Sequence, residues 1–295
     1  EYSERSYYLD GRAESYAWLG YLSNKKGNIL KALEYNHMSL KLQEETNNVQ
    51  GMATSYNNIG AIYDSKGDLD KALSYYEKAK PLYLELGNKG GYSTSLNNIG
   101  FIYTDQGRVN EGLALLDESL EISYELGDLN MAGVTLTTKG LVLKKMSVKD
   151  GVSEFKADSL VEKALICFNE SVDIFKANGN RGRLSNSYSN LGFLYLQKGD
   201  LKSAERVAKL GYELSNEIQV PINLKNSANL LSIIYEKQNK GMKALEMYKL
   251  YTLMKDSLNN DAIHKASVEA DTKYNYEKQK ALDEAEKKKK KLIEE

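Results

Sequence analysis

A glycine recurs at a fixed interval along most of this chain. Forty residues separate successive members of the set Gly20, Gly60, Gly100 and Gly140, and a further occurrence follows at Gly192. The surrounding residues recur as well: residues 57–63 read NNIGAIY and residues 97–103 read NNIGFIY. A fixed period of this length predicts a stack of similar supersecondary units. Such stacks typically offer a long concave surface to a partner instead of a closed pocket to a substrate.

Composition excludes several classes of function. The chain has 295 residues, with 40 Lys and Arg against 41 Asp and Glu and a formal net charge of −1. Nucleic-acid binding needs a basic face, so no nucleic-acid partner is expected. No apolar run reaches the ~18 residues of a membrane span, so membrane attachment would need a segment outside this chain. Cys167 lies in an apolar helical stretch and is predicted to be a small buried hydrophobic residue.

Fixed offsets from the recurring glycine divide each unit into two helices. An aliphatic residue precedes the glycine and an aromatic follows three positions later, as in Ile59 and Tyr63, so both lie on one helix face. A second glycine, as in Gly67, ends this first helix, which we call helix A. Asp68 caps the second helix, helix B, whose small residue Ala72 permits close packing. Glycine inside a helix costs about 1 kcal/mol relative to alanine, so its recurrence indicates a close helix–helix contact.

The pattern aliphatic-Gly-x-x-Tyr in helix A, with Ala in helix B, resembles the tetratricopeptide repeat over residues 11–258. The forty-residue period is similar to that of the subclass found in kinesin light chains and bacterial peptide-receptor regulators. The resemblance implies an all-α fold, a right-handed α-solenoid of about six helix-turn-helix units with a long C-terminal helix. The array is expected over residues 1–260, with units near 11–50, 51–90, 91–130, 131–182, 183–222 and 223–260.

One unit breaks the period. Ala164, the small residue of helix B, follows Gly140 after 24 positions, whereas the other units use 12. The twelve extra residues are predicted in the turn between the two helices, near Ser147–Asp158. Two interpretations remain open. The insertion is either a surface loop without function, since lengthening a loop costs little, or a binding loop at one edge of the array.

The family's geometry places helix A along a concave groove, and the resemblance therefore implies which positions face it. They lie three before the glycine, one after it, and four to five after it. We predict a peptide or protein ligand in this groove, with the candidate binding residues Asn57, Asp64, Asn97, Phe101, Thr104, Phe193 and Asn229. Asparagine disfavours helix interiors. Its recurrence indicates either a ladder of amides that bonds an extended peptide or hydrogen bonds between helices of the array.

The residues for catalysis are few. The two histidines, His37 and His264, are far apart in sequence and lack the partners for nucleophilic catalysis. No metal-ligand cluster, phosphate loop or nucleotide fingerprint occurs. We therefore expect no enzymatic activity, no metal and no cofactor. The family's two-carboxylate clamp is not expected either, because no lysine occurs at the matching positions Ala17, Tyr21, Asn57, Asn97 and Phe101.

The forty-residue period stops near the C-terminus. Residues 261–295 contain no proline or glycine and carry nine lysines and nine acidic residues. This composition predicts a charged helix, which is either a cap on the array or a coiled-coil linker. A coiled coil would allow the chain to dimerise through this helix. The chain starts at Glu1 without a methionine or an apolar signal region, and is expected to be part of a longer protein.

Repeats followed by a charged helix resemble the N-terminal sensor half of Bacteroidetes-type signalling proteins. That resemblance implies an extracytoplasmic array, a membrane span and an output domain beyond residue 295, most often a histidine kinase. We therefore interpret the chain as a non-catalytic sensory domain of a bacterial signal-transduction protein. The alternatives are the regulatory domain of a nucleotide cyclase or transcription regulator, a soluble scaffold that assembles a complex, and a cytoplasmic location.

Overall fold

Short turns join helix to helix along the chain. The computed structural model describes residues 2–25 and 28–258, and these ranges contain no strand. The helices are α1 (Tyr2–Lys25), α2 (Ile29–Glu45), α3 (Val49–Ser65), α4 (Leu69–Glu85), α5 (Lys89–Asp105), α6 (Val109–Glu125), α7 (Leu129–Ser147), α8 (Glu154–Ala177), α9 (Arg181–Gln197), α10 (Leu201–Ile218) and α11 (Pro221–Lys237). Residues 241–258 are also helical, and we call them α12. The predicted all-α helical repeat fold is confirmed.

Two compact units divide the described residues. The first ends at Tyr75 and the second covers Tyr76–Leu258. Within the first unit, α1 packs on α2 and α2 packs on α3. Within the second, the pairs α5/α6, α7/α8 and α9/α10 pack closely, and each even-numbered helix from α6 to α10 also packs on the helix that follows it. Odd-numbered helices are therefore helices A and even-numbered helices are helices B.

The same local signals begin α5, α7 and α9. Oδ1 of Asn88 accepts a hydrogen bond from the backbone N–H of Gly91, and Asp128 accepts one from Met131, both at 2.9 Å. These bonds satisfy amides that the first turn of a helix leaves free. The preceding residue is a glycine with positive φ, 63° at Gly87 and 67° at Gly127, a conformation that side chains with a Cβ rarely adopt. Helix A thus starts at the same register in successive units.

The recurring glycines lie where helix A meets helix B, as predicted. A Cβ added at Gly100 would lie 2.9 Å from the carbonyl oxygen of Gly112 in helix B of the same unit. A Cβ added at Gly140 would lie 2.7 Å from the ring of Phe168. Contacts this short would force the two helices apart. The predicted packing role of the glycine is confirmed at these positions.

The largest apolar cluster of the second unit lies among α7, α8 and α9. Its centre is aromatic, with Phe168 fully buried and Phe175 1% exposed. Burying one such side chain contributes roughly 2–3 kcal/mol. Cys167 belongs to the same cluster, and burial raises the pKa of its thiol. The prediction of a small buried hydrophobic residue at this position is confirmed.

The sequence predicted that the insertion lies in the turn between the two helices of its unit. In the structure most of its extra residues are helical instead. Residues 148–153 form the connection between α7 and α8, six residues where α5 and α6 are joined by three, 106–108. The rest extends the helices: α8 has 24 residues and α7 has 19, whereas α5 and α6 have 17 each. The first turns of α8 are held by Leu160 and Val161, which are 8% and 5% exposed. Burial of these two side chains explains why most of the insertion is helical.

None of the helices in residues 2–25 and 28–258 combines the length and apolar character that a membrane crossing requires. The predicted charged helix over residues 261–295 lies outside the described residues, and so does His264. Its roles as a cap or as a dimerisation element therefore stay predictions.

Candidate ligand-binding surface

The helices A of the second unit stand side by side. Helix α5 contacts α7, α7 contacts α9, and α9 contacts α11. Polar bonds cross between neighbours. Nζ of Lys145 on α7 donates to the Asp105 carboxylate on α5 at 2.7 Å, and Nε2 of Gln197 on α9 donates to Oγ of Ser147 at 3.0 Å. We call the row formed by α5, α7, α9 and α11 the helix-A row. The prediction from the sequence places the groove on the free face of this row.

Five of the candidate binding residues lie on the helix-A row: Asn97, Phe101, Thr104, Phe193 and Asn229. All but Asn97 are partly exposed, while Asn97 is only 6% exposed. Leu141 of α7 occupies the same repeat position as Phe101 and Phe193, and is 36% exposed. Three consecutive helices A therefore present a large apolar side chain at one repeat position. The other two candidates, Asn57 and Asp64, lie on α3 in the first unit and are half-buried.

The amides of the candidate asparagines make few bonds within the array. Nδ2 of Asn97 donates to Oδ1 of the adjacent Asn98 at 3.3 Å. Oδ1 of Asn97 and Oδ1 of Asn57 are buried and have no hydrogen-bond partner among the described residues. An unsatisfied buried polar atom costs about 1–3 kcal/mol. Hydrogen bonding between helices of the array therefore does not account for these two oxygens.

The same repeat position on α9 is used differently. Ser189 is buried, and its hydroxyl donates to the carbonyl oxygen of Ser185 at 3.2 Å and lies 3.1 Å from the hydroxyl of Ser227. The hydroxyl of Ser189 therefore makes its hydrogen bonds to other residues of the array. An amide ladder that follows this repeat position would therefore not continue across α9.

Two other candidates, Thr104 and Asp64, differ in the surroundings of their side chains. The hydroxyl of Thr104 donates to the carbonyl oxygen of Phe101 at 2.7 Å, within α5. Burial raises the pKa of the Asp64 carboxyl group on α3, because a charged carboxylate is disfavoured away from water. Thr104 also lines a cleft of about 430 Å³ beside the insertion, together with Val109, Val142, Met146 and Val148. This cleft opens at one edge of the helix-A row.

Lys144 is a feature of this surface that the candidate set does not include. Its ammonium group lies 5.0 Å from the centroid of the Phe193 ring, across from α7 to α9. Burial lowers the pKa of Lys144, because desolvation disfavours the charged form. The sequence does carry a signal, since Lys144 stands four residues after Gly140, at the repeat position of Asp64 and Thr104. That no carboxylate among residues 2–25 and 28–258 forms an ion pair with it becomes visible only in the structure.

A feature missed in the sequence is a set of buried hydroxyls between helices. In the second unit, the hydroxyl of Ser119 on α6 lies 2.9 Å from that of Ser93 on α5 and 3.2 Å from that of Thr135 on α7. Ser171 and Ser187 repeat the second contact between α8 and α9 at 3.1 Å. These hydroxyls join each helix B to the next helix A. They are therefore structural and not part of a ligand-binding surface.

No group of three or more His, Cys, Asp or Glu side chains in residues 2–25 and 28–258 is arranged to hold a metal ion. The polar side chains on the helix-A row include amides, hydroxyls, lysines and the Asp105 carboxylate. Such groups donate and accept hydrogen bonds and bind charge. Their chemistry suits recognition of a ligand that carries both apolar and polar groups.

Comparison with known families agrees with this architecture. Family models of the tetratricopeptide repeat match residues 11–85, 93–125 and 185–217. The chain thus contains tetratricopeptide repeats, as the residue pattern predicted. No curated protein matches the sequence at a significant level.

Solved structures share the fold at low sequence identity. The apo form of RapI has a TM-score of 0.64 at 15% identity, covering 85% of this chain and 85% of that one. BtubC (BKLC) from P. vanneervenii has a TM-score of 0.60 at 16% identity, covering 81% and 92%. The Rap conjugation gene regulator of plasmid pLS20, solved in complex with the Phr* peptide, has a TM-score of 0.60 at 16% identity, covering 88% and 77%. At these identities the similarity establishes the fold alone.

Proposed function

We propose that this chain is a non-catalytic peptide- or protein-binding domain that uses the helix-A row as its contact surface. The observation that carries the proposal is the repeated apolar position on that row. Phe101, Leu141 and Phe193 stand one residue after the recurring glycine on α5, α7 and α9, and none of them is fully buried. A strip of partly exposed apolar side chains beside polar ones is typical of an interaction surface.

The kind of ligand follows from the shape of the row. Parallel helices with side chains at one repeat position offer evenly spaced contacts, which suits an extended segment better than a small molecule. A structural neighbour, the Rap regulator of plasmid pLS20, was solved with a bound peptide. That neighbour supports a peptide ligand by analogy of fold. In this proposal Asn97 is a contact residue on the helix-A row, and Asn57 is the corresponding residue within the first unit.

The wider role we propose is regulatory. In this view the array is the sensory part of a bacterial signal-transduction protein, such as a sensor histidine kinase, and ligand binding is passed on through residues 261–295. The nucleotide sequence beyond codon 295 tests this part separately. A membrane-spanning segment of about 20 apolar residues followed by an output domain supports it. A stop codon directly after residue 295 contradicts it and favours the soluble scaffold.

Peptide binding itself is tested with a random-sequence display library panned against the purified chain. We expect enrichment of a peptide family, and a loss of affinity of about tenfold or more in the double variant Phe101→Ala, Leu141→Ala, because large apolar side chains dominate binding energy. Ile166→Ala is the control, since Ile166 is 64% exposed on α8, a helix B outside the helix-A row. Failure to enrich any peptide, or equal losses in the double variant and the control, contradicts the proposal.

A further inference from the structure

Three of the four lysines on α5 and α7 have an acidic partner, and α9 contains no lysine. Lys89 pairs with Glu125 at 2.9 Å, Lys139 pairs with Asp117, and Lys145 pairs with Asp105 at 2.7 Å. Lys144 is the fourth. No carboxylate lies within ion-pair distance of its Nζ in the part of the chain that the structure describes. The unpaired lysine therefore stands directly beside a paired one, and the two side chains have different surroundings.

Lys144 is also partly withdrawn from water. It is half-buried, and burial lowers its pKa with no acidic group to oppose the effect. The Phe193 ring, 5.0 Å from Nζ, offers the negative face of its π system, which is worth about 0.5–1 kcal/mol at exposed sites. A half-buried ammonium with only a ring beside it is incompletely compensated. An anion placed next to it would gain more than one placed beside the paired Lys145.

The position of Lys144 determines which ligands can contact its ammonium group. Phe193, whose ring contacts Nζ, belongs to the apolar strip of the helix-A row, and Leu141 of the same strip lies one helical turn before Lys144 on α7. A ligand that covers the strip therefore passes beside the ammonium group. The net charge of −1 gives the chain no overall attraction for a polyanion such as nucleic acid. A single carboxylate on a peptide fits one lysine.

We propose that Lys144 anchors a carboxylate of the bound peptide beside the Phe193 ring, and so selects ligands with an acidic group at that place. The carboxylate belongs either to an Asp or Glu side chain or to the peptide C-terminus. This inference rests on the proposed function, because it requires that a peptide occupies the helix-A row. It adds the chemical class of the ligand: an acidic peptide, with apolar side chains flanking the acid.

The test uses a peptide enriched by the wild-type chain from the random library, synthesised in three forms. One form is as selected, one has each Asp and Glu replaced by Asn and Gln, and one carries a C-terminal amide. Affinity is measured for the wild type and for Lys144→Gln, with Lys139→Gln as a control on the same helix. We expect neutralising one kind of carboxylate to weaken wild-type binding about tenfold, equivalent to about 1.4 kcal/mol. The form that loses affinity identifies the source of the carboxylate.

The predicted signature is a coupling between protein and peptide charge. Lys144→Gln should lose the same factor for the acidic form and nothing for the neutralised form, whereas Lys139→Gln and Lys144→Arg should keep the acid preference. Folding of each variant is checked by circular dichroism. If peptides bind but neutralising their carboxylates leaves the affinity unchanged, or if Lys144→Gln keeps the acid preference, this inference is overturned and the proposed function stands. If no peptide binds to the wild type, both are overturned.

Discussion

Serine and threonine hydroxyls hold successive helix pairs together at fixed repeat positions. The contacts Ser39–Ser55, Ser119–Thr135 and Ser171–Ser187 each join a helix B to the next helix A, and the partners are always 16 residues apart. All six residues are buried. A hydroxyl is small enough to let two helices approach closely, and a partner on the next helix satisfies its bonding capacity. These residues therefore combine close packing with polar satisfaction.

Removing one of these hydroxyls without adding volume should destabilise the second unit. We expect Ser119→Ala to lower the free energy of unfolding by about 2 kcal/mol, because it leaves the buried hydroxyl of Thr135 without a partner. Ser159→Ala on α8 is the control, since Ser159 is exposed, and should change stability by less than about 0.5 kcal/mol. Urea denaturation followed by circular dichroism measures both. Equal stabilities of the two variants would show that the hydroxyl contacts contribute nothing.

Helix length in this array is set by which side chains find a core. Helices α5 and α6 end after 17 residues because a glycine or polar turn follows each of them. Helix α8 begins earlier in its unit and reaches 24 residues. Its extra turns carry both Leu160, which is buried, and Phe155, which is 86% exposed. Packing of the former, and not the apolar character of the latter, anchors the extension.

The two side chains should therefore respond very differently to truncation. Leu160→Ala is expected to cost about 2–3 kcal/mol of unfolding free energy, since it removes buried methyl groups and leaves a cavity. Phe155→Ala should cost less than about 0.5 kcal/mol. Amide hydrogen exchange at residues 154–160 should become faster in the first variant only. A large effect of Phe155→Ala would indicate that this side chain packs against something in solution.

The forty-residue period predicted most of the architecture. The glycine positions, the cap at Asp68 and the helix order follow from local sequence, because close contacts and turns impose strict residue types. The site was only partly predictable. Repeat position identified Phe101 and Phe193. It did not identify the burial of Asn97 or show that Lys145, and not Lys144, pairs with Asp105, because both depend on contacts between helices. Lys145 and Asp105 are 40 residues apart in the sequence. Those contacts involve side-chain direction, which spacing alone does not specify.

The conformation of the insertion was also not predictable from residue spacing. Counting from Gly140 located its twelve extra residues correctly, yet not their conformation. The start of α8 is a helix and not a loop because Leu160 and Val161 are buried in the cluster formed with α7 and α9. Tertiary packing of a few apolar side chains therefore overrides the expectation of a loop.

A peptide that binds across the helix-A row lies within reach of position 193. Covalent capture detects this contact: Phe193 is replaced with the photoreactive amino acid benzoylphenylalanine, and the chain is irradiated with the peptide enriched from the library. The same replacement at Ile166, which is 64% exposed on α8, provides the matched control on a helix B. We predict a covalent peptide adduct at position 193 and none at position 166. An adduct at position 166 alone, or equal adducts at both positions, would contradict the account.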